Sequence, residues 1–311
     1  FIIRRYARES GVRGLRKLLE KVYRKVAFDI VKEHGEEVFP EPSSESETKP
    51  LPTSAKNESI QVTKQERSPM AVPPNVSVVI NEEQLRDYLG PPIYHKDRMY
   101  THTMPAGVAL GLGYLGNGSG SLMPIETTLM PGKGNLHLTG KLGDVIKESA
   151  SIALSWVKSH AYELGLTKEP GETLLDHRDV HLHMPEGAIG KEGPSAGVAF
   201  AVSLISLLTD RSLPTKLAMT GEVSLRGMVL PVGGLKEKLL AAHRAGITTV
   251  ILPAHNRPSV EADVPKSVLD DLEVHYVTNV WAALDVAFGH GPWSAQARVW
   301  SANETPEAAS Q

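Results

Sequence analysis

The first 33 residues show the hydrophobic pattern of an amphipathic helix. Apolar side chains recur there at spacings of three and four residues, which predicts a single helix over residues 4–33. About ten Arg and Lys residues face about three acids in this stretch, so the other side of the helix is basic. A solvated basic face is the ordinary explanation of such a pattern.

A polar segment then interrupts the hydrophobic pattern. Pro, Ser, Glu, Thr and Lys dominate residues 36–75. Because too few hydrophobic residues are present to offset the entropy of ordering the chain, we expect a disordered insertion there. The pattern resumes with a predicted strand at residues 76–80 and a short helix at residues 82–89.

From residue 107 onward, short strands alternate with helices. Two strands, at residues 108–115 and 122–129, flank a glycine-rich turn and predict a hairpin. Further strands are predicted at residues 136–139, 179–184, 218–220, 228–230, 249–253 and 273–277. Helices are predicted at residues 144–164, 194–208, 235–245, 260–263 and 280–288. The sum is an α/β or α+β domain over residues 98–290, followed by a flexible tail at residues 291–311.

The hydrophobic patterns of two of these helices predict which of their residues are buried. The helix at residues 194–208 is almost wholly apolar and is therefore expected to be buried. The helix at residues 144–164 is amphipathic. Its expected inward-facing residues are Val145, Ala153, Trp156 and Val157.

Composition excludes several kinds of chemistry. The chain has 311 residues, a formal net charge of −3 and no cysteine. Disulfides, thiol nucleophiles and cysteine-based metal sites are therefore excluded, and the charge gives no overall attraction to nucleic acid or acidic membranes. No apolar run reaches the length of about 18 residues that a membrane span needs. The chain starts at Phe1, inside a helical pattern, which indicates a piece of a longer protein.

The sequence Gly-Pro-Ser-Ala-Gly at residues 193–197 places Ser195 at the mouth of the apolar helix. Free backbone N–H groups and the positive end of the helix would face an oxyanion formed beside this serine. The G-x-S-x-G pattern also matches the elbow of α/β-hydrolases, but about ten residues separate Ser195 from the preceding strand. An N-capping serine is the structural alternative. The flanking glycines permit close approach of a substrate backbone and favour a nucleophile.

Lys238 lies within the apolar arc of the helix predicted at residues 235–245. Lys236, Glu237 and Arg244 point away from that arc. A lysine in apolar surroundings has a lowered pKa and can then act as a base toward a serine. A lysine that extends along the apolar edge to water is the structural alternative.

Three other signals are weaker. Thr220 follows a strand and would offer a hydroxyl to the lysine amine, although on its own it is typical of a turn. His181 and His183 share one face of a strand, but without a third metal ligand we expect them to make structural hydrogen bonds. The glycine pattern at residues 111–116 mimics a dinucleotide-binding motif, but a hairpin follows it, and the chain contains no phosphate-binding loop.

Taken in order, these segments resemble the C-terminal part of the ATP-dependent Lon proteases. The resemblance covers nearly the whole chain apart from the insertion and the tail. The matching segments are residues 6–15, 85–90, 140–145, 193–197, 219–222 and 230–238. The resemblance implies a proteolytic domain of the Lon and ribosomal-protein-S5-like type over residues 98–290. Residues 1–97 would be the remainder of the small helical lid of an ATPase, interrupted by the insertion.

The resemblance also implies a serine endopeptidase with a Ser–Lys dyad and no metal in the site. Ser195 would be the nucleophile, Lys238 the general base, and Thr220 a support for the lysine. Substrate would lie as an extended strand near Tyr114 to Glu126, a mode that tolerates many sequences.

Two positions depart from the family pattern. Glu192 stands where the family usually has Asp, beside the supporting residues Gly193 and Pro194. The resemblance implies that this acid helps set the nucleophile loop between closed and open forms. Tyr114 stands where the family often has Trp in the first hairpin, which would alter how substrate is accommodated.

Beyond the dyad, the resemblance implies a homohexameric ring that degrades unfolded, damaged or regulatory proteins. Arg13 falls at the position of an arginine that senses nucleotide phosphates. No cofactor is expected in this chain, since ATP and Mg²⁺ would belong to the rest of the parent protein. Glu192 and the helix at residues 153–164 resemble the peroxisomal members of the family more than the mitochondrial ones, which implies an organelle matrix, peroxisomal over mitochondrial, with a bacterial cytoplasm as the alternative.

Two rival hypotheses stay open at this point. One is an α/β-hydrolase in which Ser195 acts with an acid such as Asp270 and a histidine such as His290. The other is a non-catalytic interaction module on the same fold, which would bind protein or nucleic acid through the basic helix at residues 4–32. A module of that kind would have little reason to combine Ser195 with an inward-facing Lys238.

Overall fold

The computed structural model describes residues 1–7, 9, 11–38, 76–94, 100, 102–116, 118–185 and 191–303. The chain divides into two compact units, Phe1–His95 and Lys96–Gln311. Most of the expected insertion, residues 39–75, lies outside the described residues. No helix among the described residues is both long enough and hydrophobic enough to span a membrane.

The described part of the first unit contains three helices. They are α1 (Ile2–Arg5), α2 (Arg13–Val38) and α3 (Leu85–Leu89). The prediction of one helix over residues 4–33 is therefore wrong, because the chain leaves the helix after α1 and starts again at Arg13. The carboxylate of Glu9 accepts a hydrogen bond from the Leu15 N–H at 2.9 Å, which satisfies a free donor at the start of α2. Hydrogen bonds from the backbone of Gly14 and Leu15 hold the pKa of Glu9 below its ordinary value.

The strand predicted at residues 76–80 is not formed. Val78 and Val79 are 48% and 80% exposed, so these β-branched residues have no sheet to pack against. The next prediction, a helix at residues 82–89, is present in shortened form as α3. Asn81 and Gln84 exchange side-chain to backbone hydrogen bonds of 2.9 and 3.0 Å, a capping arrangement that precedes the helix.

As far as the structure describes it, the second unit is built on a mixed sheet of seven strands. In sheet order, they are β3 (Leu136–Thr139), β4 (Arg178–His183), β2 (Gly120–Pro131), β1 (Val108–Tyr114), β5 (Leu217–Met219), β8 (Thr249–Pro253) and β9 (Glu273–Val277). The pairs β1–β2 and β2–β4 are antiparallel, and the other pairs are parallel. A small hairpin, β6 (Glu222–Val223) with β7 (Val229–Leu230), lies outside this sheet. The predicted α/β class is confirmed.

Seven helices and one short 3₁₀ turn accompany the sheet in the described part of this unit. The helices are α4 (Asp144–Ser159), α5 (Gly197–Thr209), α6 (Leu235–Arg244), α7 (Arg257–Asp263), α8 (Lys266–Leu269), α9 (Val280–Phe288) and α10 (Ser294–Asn303). The 3₁₀ turn is Ala254–Asn256. Helix α5 is buried along most of its length and packs against α4, β1 and β2. It is the centre of the core, as its composition predicts.

Helix α4 corrects two details of its prediction. It ends at Ser159 rather than at residue 164, and Val145 is 47% exposed rather than inward. The buried stripe includes Ile146, Ala153 and Val157. Val145 lies one residue, or about 100°, away from that stripe.

Residues 291–303 differ from the flexible tail expected there. Helix α10 occupies Ser294–Asn303, and Trp293 is 1% exposed, with its indole N–H donating to the Gly289 carbonyl at 2.9 Å. The Arg211 guanidinium lies 5.0 Å from the centre of the Trp293 ring, within cation–π range. The rest of the expected tail, residues 304–311, lies outside the described residues.

Candidate active site

Ser195 lies in the loop that enters α5, not in the first turn of the helix as predicted. The helix begins at Gly197, because the Val198 N–H donates to the Gly221 carbonyl at 3.1 Å rather than back along its own chain. The carbonyl of Ser195 accepts two hydrogen bonds, from Gly221 N at 2.9 Å and from Thr220 Oγ1 at 3.0 Å. The main chain of the serine is therefore fastened to the end of β5.

A second contact fastens the same loop to α4. Ser149, a buried polar residue of that helix, donates its hydroxyl to the Pro194 carbonyl at 3.1 Å. Gly193 has φ +85°, a left-handed conformation that favours glycine, and Pro194 follows it with a restricted φ. Gly193 and Pro194 thus define the conformation of the turn that precedes Ser195.

Lys238 faces inward from α6, as the helical pattern predicts. It is 1% exposed, and its neighbours Leu235 and Leu239 on the same face are buried as well. Lys236 is exposed on the opposite side. Burial disfavours the charged form of the amine and lowers the pKa of Lys238 from 10.5 to about 8.

Thr220 connects the two predicted catalytic residues. Lys238 Nζ donates to Thr220 Oγ1 at 3.1 Å, and Thr220 Oγ1 donates to the Ser195 carbonyl at 3.0 Å. A threonine hydroxyl has one proton, which the Ser195 carbonyl takes, so Thr220 must accept from the lysine. This direction fixes one N–H of the amine and leaves its lone pair directed elsewhere.

Ser195 and Lys238 line one cavity of about 800 Å³. Most of its wall consists of three segments, residues 111–116, 191–196 and 231–234. The first is the end of β1 and the following turn, the second is the loop before α5, and the third precedes α6. The cavity is therefore an extended cleft between chain segments, with the serine and the lysine on its surface.

The entrance to α5 also offers hydrogen-bond donors. In the described part of the chain, the N–H groups of Ser195 and Ala196 make no hydrogen bond. They lie just before a 13-residue helix whose N-terminus carries a partial positive charge. Such unpaired amides are the kind of group that stabilises an oxyanion.

Glu192 is exposed and lies at the N-terminal end of α4. A Cβ added to Gly143, the residue before that helix, would lie 2.0 Å from Glu192 Oε2, so the carboxylate lies directly against this glycine. A carboxylate at this end of a helix is stabilised by the helix dipole. The acid in the loop before α5 therefore lies beside the start of α4.

The two predicted substrate-binding residues lie apart. Tyr114 ends β1, is 48% exposed and lines the cavity. Glu126 pairs with Val108 at the other end of the hairpin and is not part of the cavity wall. Its carboxylate accepts a hydrogen bond from Tyr100, and burial together with this contact raises the pKa of Tyr100 to about 12.

The remaining predicted residues are not part of the wall of this cavity. Arg13 is the exposed first residue of α2 in the other unit. Asp270 and His290, the rival acid and histidine, do not line the cavity, and His290 Nδ1 lies 3.7 Å from Asp285 Oδ1. The structure therefore brings Ser195 together with Lys238 and not with the alternative pair.

His181 and His183 make the structural hydrogen bonds expected of them. Their ring nitrogens lie 2.9 and 2.6 Å from Thr139 Oγ1. Among the described residues, no group of three or more His, Cys, Asp or Glu side chains is arranged to hold a metal ion.

Three residues of the site carry no strong sequence signal. Ser149 and Asn256 fix the two loops of the cavity through side-chain contacts with backbone groups. Lys191 is 3% exposed and donates from Nζ to the Gly140 carbonyl at 3.0 Å. The sequence shows a lysine beside a glycine-rich loop, but nothing local indicates that it is buried or which group it contacts.

Comparison with known proteins agrees with this geometry. Residues 79–290 match the family model of the Lon protease (S16) C-terminal proteolytic domain, and residues 1–39 match the Lon protease AAA+ ATPase lid domain. Lon protease homolog 2, peroxisomal, from Xenopus laevis is 43% identical over 93% of this chain and 34% of the relative. The protein of the same name from Spinacia oleracea is 40% identical over 96% of this chain and 34% of the relative.

A third relative, Lon protease homolog 2, peroxisomal, from Danio rerio, is 42% identical over 93% of this chain and 33% of its own length. The chain thus spans about a third of the length of the curated relatives that it matches. The proteolytic-domain match covers more than half of the chain, and the lid match precedes it along the chain. The chain therefore belongs to the Lon protease family.

Proposed function

We propose that the domain over residues 98–290 is a serine endopeptidase in which Ser195 is the nucleophile and Lys238 the general base. The observation that carries this proposal is the hydrogen-bonded path from Lys238 through Thr220 to the Ser195 carbonyl, beside a cavity that both catalytic side chains line. A lysine that is 1% exposed has little access to water, so its amine is neutral in a useful fraction of molecules near neutral pH.

The reaction begins with transfer of the Ser195 hydroxyl proton to neutral Lys238. Ser195 Oγ then bonds to the peptide carbonyl carbon, the C–N bond breaks, and the lysine ammonium returns its proton to the leaving amine. Water hydrolyses the acyl-enzyme with Lys238 again as the base. The described structure has no direct hydrogen bond between Ser195 Oγ and Lys238 Nζ, and catalytic hydrogen bonds of this kind commonly tighten when substrate binds.

The unpaired amides at the entrance to α5 stabilise the negative oxygen of the tetrahedral intermediate. The N–H groups of Ser195 and Ala196 are placed next to the nucleophile by the same turn that carries it. The N-terminus of α5 adds a favourable dipole. No side chain has to move to form this arrangement, since its donors belong to the main chain.

An extended peptide binds along the end of β1. Strand β1 pairs with β5 at a single position, Gly111 with Met219, so the following residues 112–114 continue past β5. That stretch lines the cavity and ends at Tyr114. Main-chain pairing with such an edge accepts many sequences, as degradation of unfolded proteins requires. Glu126 contributes only where the peptide extends toward the far end of the hairpin.

In the longer protein, this domain is the proteolytic part of an ATP-dependent protease that assembles as a homohexamer and degrades unfolded, damaged or regulatory proteins. Residues 1–97 form the remainder of the ATPase lid, with Arg13 as the residue that senses nucleotide phosphates. ATP and Mg²⁺ act in the rest of the parent protein. The fold is of the Lon and ribosomal-protein-S5-like type. Glu192, held at α4, sets the nucleophile loop between closed and open forms.

Relatives that are named peroxisomal Lon protease homologs support an organelle matrix for this protein. We propose the peroxisomal matrix in preference to the mitochondrial one. Imaging of the full-length protein with markers of both organelles tests this. Coincidence with the mitochondrial marker would contradict it.

Covalent labelling with a peptide-like β-lactone tests the dyad. Wild type, Ser195→Ala and Lys238→Ala are exposed to the reagent, and intact mass with peptide mapping locates the adduct. We expect an acyl adduct on Ser195 in wild type and none in either variant, because the serine is a poor nucleophile without its base.

The other outcomes distinguish the alternatives. An adduct on Ser195 that persists in Lys238→Ala would overturn the dyad and favour the acid–histidine alternative. No adduct in the wild-type hexamer with its ATPase would overturn the peptidase itself and favour an interaction module.

A further inference from the structure

The segment over residues 231–234 lines the cavity and also leads into the helix that carries Lys238. It forms the part of the cavity wall that precedes α6, and Gly234 packs against Tyr114 of another wall segment, where a Cβ added to the glycine would lie 3.1 Å from the tyrosine side chain. Its Gly234 carbonyl also accepts the N–H of Lys238 at 3.0 Å. The placement of this segment therefore sets both the width of the cleft and the start of the helix that carries Lys238.

One side chain holds this segment by both of its polar atoms. Asn256 Oδ1 accepts from Val232 N at 2.9 Å, and Asn256 Nδ2 donates to the Val232 carbonyl at 3.1 Å. Two such bonds to one residue fix its orientation as well as its distance, as a neighbouring strand would. Asn256 is 9% exposed, so water competes little for these bonds.

Asn256 stands at a helix start, where an asparagine side chain usually has a different role. It is the N-cap residue of α7, and asparagine is among the preferred residues at N-caps because its side chain can accept from the first helical N–H groups. Here the side chain makes no capping hydrogen bond. Its amide is instead directed to Val232, which lies 24 residues earlier in the chain.

We propose that Asn256 is a positioning residue for the peptidase, which acts through Val232 to hold residues 231–234 so that Lys238 and an extended peptide meet Ser195. The proposal rests on the Ser–Lys mechanism given above. Asn256 is not part of the cavity wall and does not touch the reacting atoms. Its influence passes through the main chain of one residue to the cleft and to α6.

Three variants separate positioning from general stability. Asn256→Ala removes both bonds to Val232. Asn256→Asp keeps an acceptor for the Val232 N–H, places a negative oxygen against the Val232 carbonyl, and leaves a good capping residue at the start of α7. Asn279→Ala is the matched control, since Asn279 is 1% exposed and caps α9 through Ala282 N at 2.9 Å, outside the cavity wall.

The readouts are the rate of lactone labelling at Ser195, its pH profile, and the Tm of each variant. We expect Asn256→Ala to lower the labelling rate about tenfold or more and to move the midpoint of the profile. Asn256→Asp lowers the rate similarly with a smaller loss of Tm. Asn279→Ala lowers the Tm but keeps the labelling rate within about twofold of wild type and the midpoint unchanged.

Two results would overturn the proposal. Labelling of Asn256→Ala within about twofold of wild type, with an unmoved profile and a lowered Tm, would reduce Asn256 to a structural residue. A loss of rate equal to that in Asn279→Ala would do the same. Failure of the dyad itself is distinct, because it appears as unlabelled wild type or as labelling that persists in Lys238→Ala.

Discussion

The two residues proposed as the catalytic pair are held at the cavity in different ways. Ser195 comes from a loop, and its main chain is held on two sides, by Gly221 and Thr220 at the end of β5 and by Ser149 on α4 through the neighbouring Pro194. Lys238 comes from the interior of α6, and what matters about it is its burial. Hydrogen bonds to the main chain fix the position of the serine. The apolar packing around the lysine instead sets the pKa of its amine.

This difference predicts different responses to substitution. A group fixed by packing can be replaced by an apolar side chain of similar shape without loss of structure, although its chemistry disappears. A group fixed by hydrogen bonds is sensitive to partners that never touch substrate. The labelling rate at Ser195 in suitable variants measures that contrast.

The largest effect is expected from Lys238→Met. Methionine has a similar length and no charge, so labelling at Ser195 should fall to background while the protein becomes more stable. Burial lowers the pKa of Lys238 to about 8 from 10.5, a cost to the charged form that methionine removes. We expect the free energy of unfolding at pH 7 to rise by roughly 1–3 kcal/mol, after allowance for the lost bond to Thr220. Denaturant unfolding measures it.

The control for this comparison is Ser195→Ala, which removes labelling without removing a buried charge. Its stability should stay close to that of wild type. If Lys238→Met were less stable than Ser195→Ala, the lysine would contribute a net favourable interaction, and the account of its lowered pKa would be wrong.

The next largest effect is that of pH on wild type. The folded-state pKa of Lys238 is lowered to about 8, so the neutral base accumulates as pH rises through 8. Lowering the pH from 8 to 6 should slow labelling about fiftyfold, with a plateau above about pH 9. Stability should rise between about pH 8 and 10.5, because across that window the unfolded lysine binds a proton that the folded one does not.

Lys238→Met supplies the baseline for both curves, since it lacks the titrating amine. Its stability should show no rise between pH 8 and 10.5. A midpoint of labelling near pH 6.5 would instead indicate a histidine base and would contradict the assignment of Lys238.

The same contrast explains how much of the site the sequence could predict. Lys238 was identified from the periodicity of its own helix, because burial within a helix follows from a local pattern. The start of α5 was placed too early, because the bond that sets it joins Val198 to Gly221 from another part of the chain. Asn256 had no signal at all, since its partner Val232 is 24 residues away.

The fold shows the same division between local and distant causes. The central helix and the hairpin of β1 and β2 follow from hydrophobic patterns within one segment, and both were predicted. Residues 76–80 have the composition of a strand, but a strand needs a neighbour, and Val79 is instead 80% exposed. Local hydrophobic patterns therefore predict which helices and strands exist. Contacts between residues distant in the chain determine where these elements begin and end and which partners they have.

The smallest effect on the labelling rate is expected at Thr220. This residue contacts both the Ser195 carbonyl and the Lys238 amine, so it tests whether hydrogen bonding also affects the lysine. Thr220→Val keeps the shape of a side chain that is 0% exposed but removes its bonds to Lys238 and to the Ser195 carbonyl. The serine keeps its bond from Gly221, so we expect labelling to slow only about tenfold. The lysine also loses a partner for its charged form, so the midpoint of the pH profile should move to lower pH.

Thr220→Ser is the matched control, because it retains the hydroxyl and loses only a methyl group. Its labelling rate should stay within about threefold of wild type, with an unchanged midpoint. If both variants were equally slow, the methyl contact would be responsible and the hydroxyl would not link the two groups. If only Thr220→Val were slow and its midpoint moved, one hydroxyl would serve both the placement of the serine and the chemistry of the lysine.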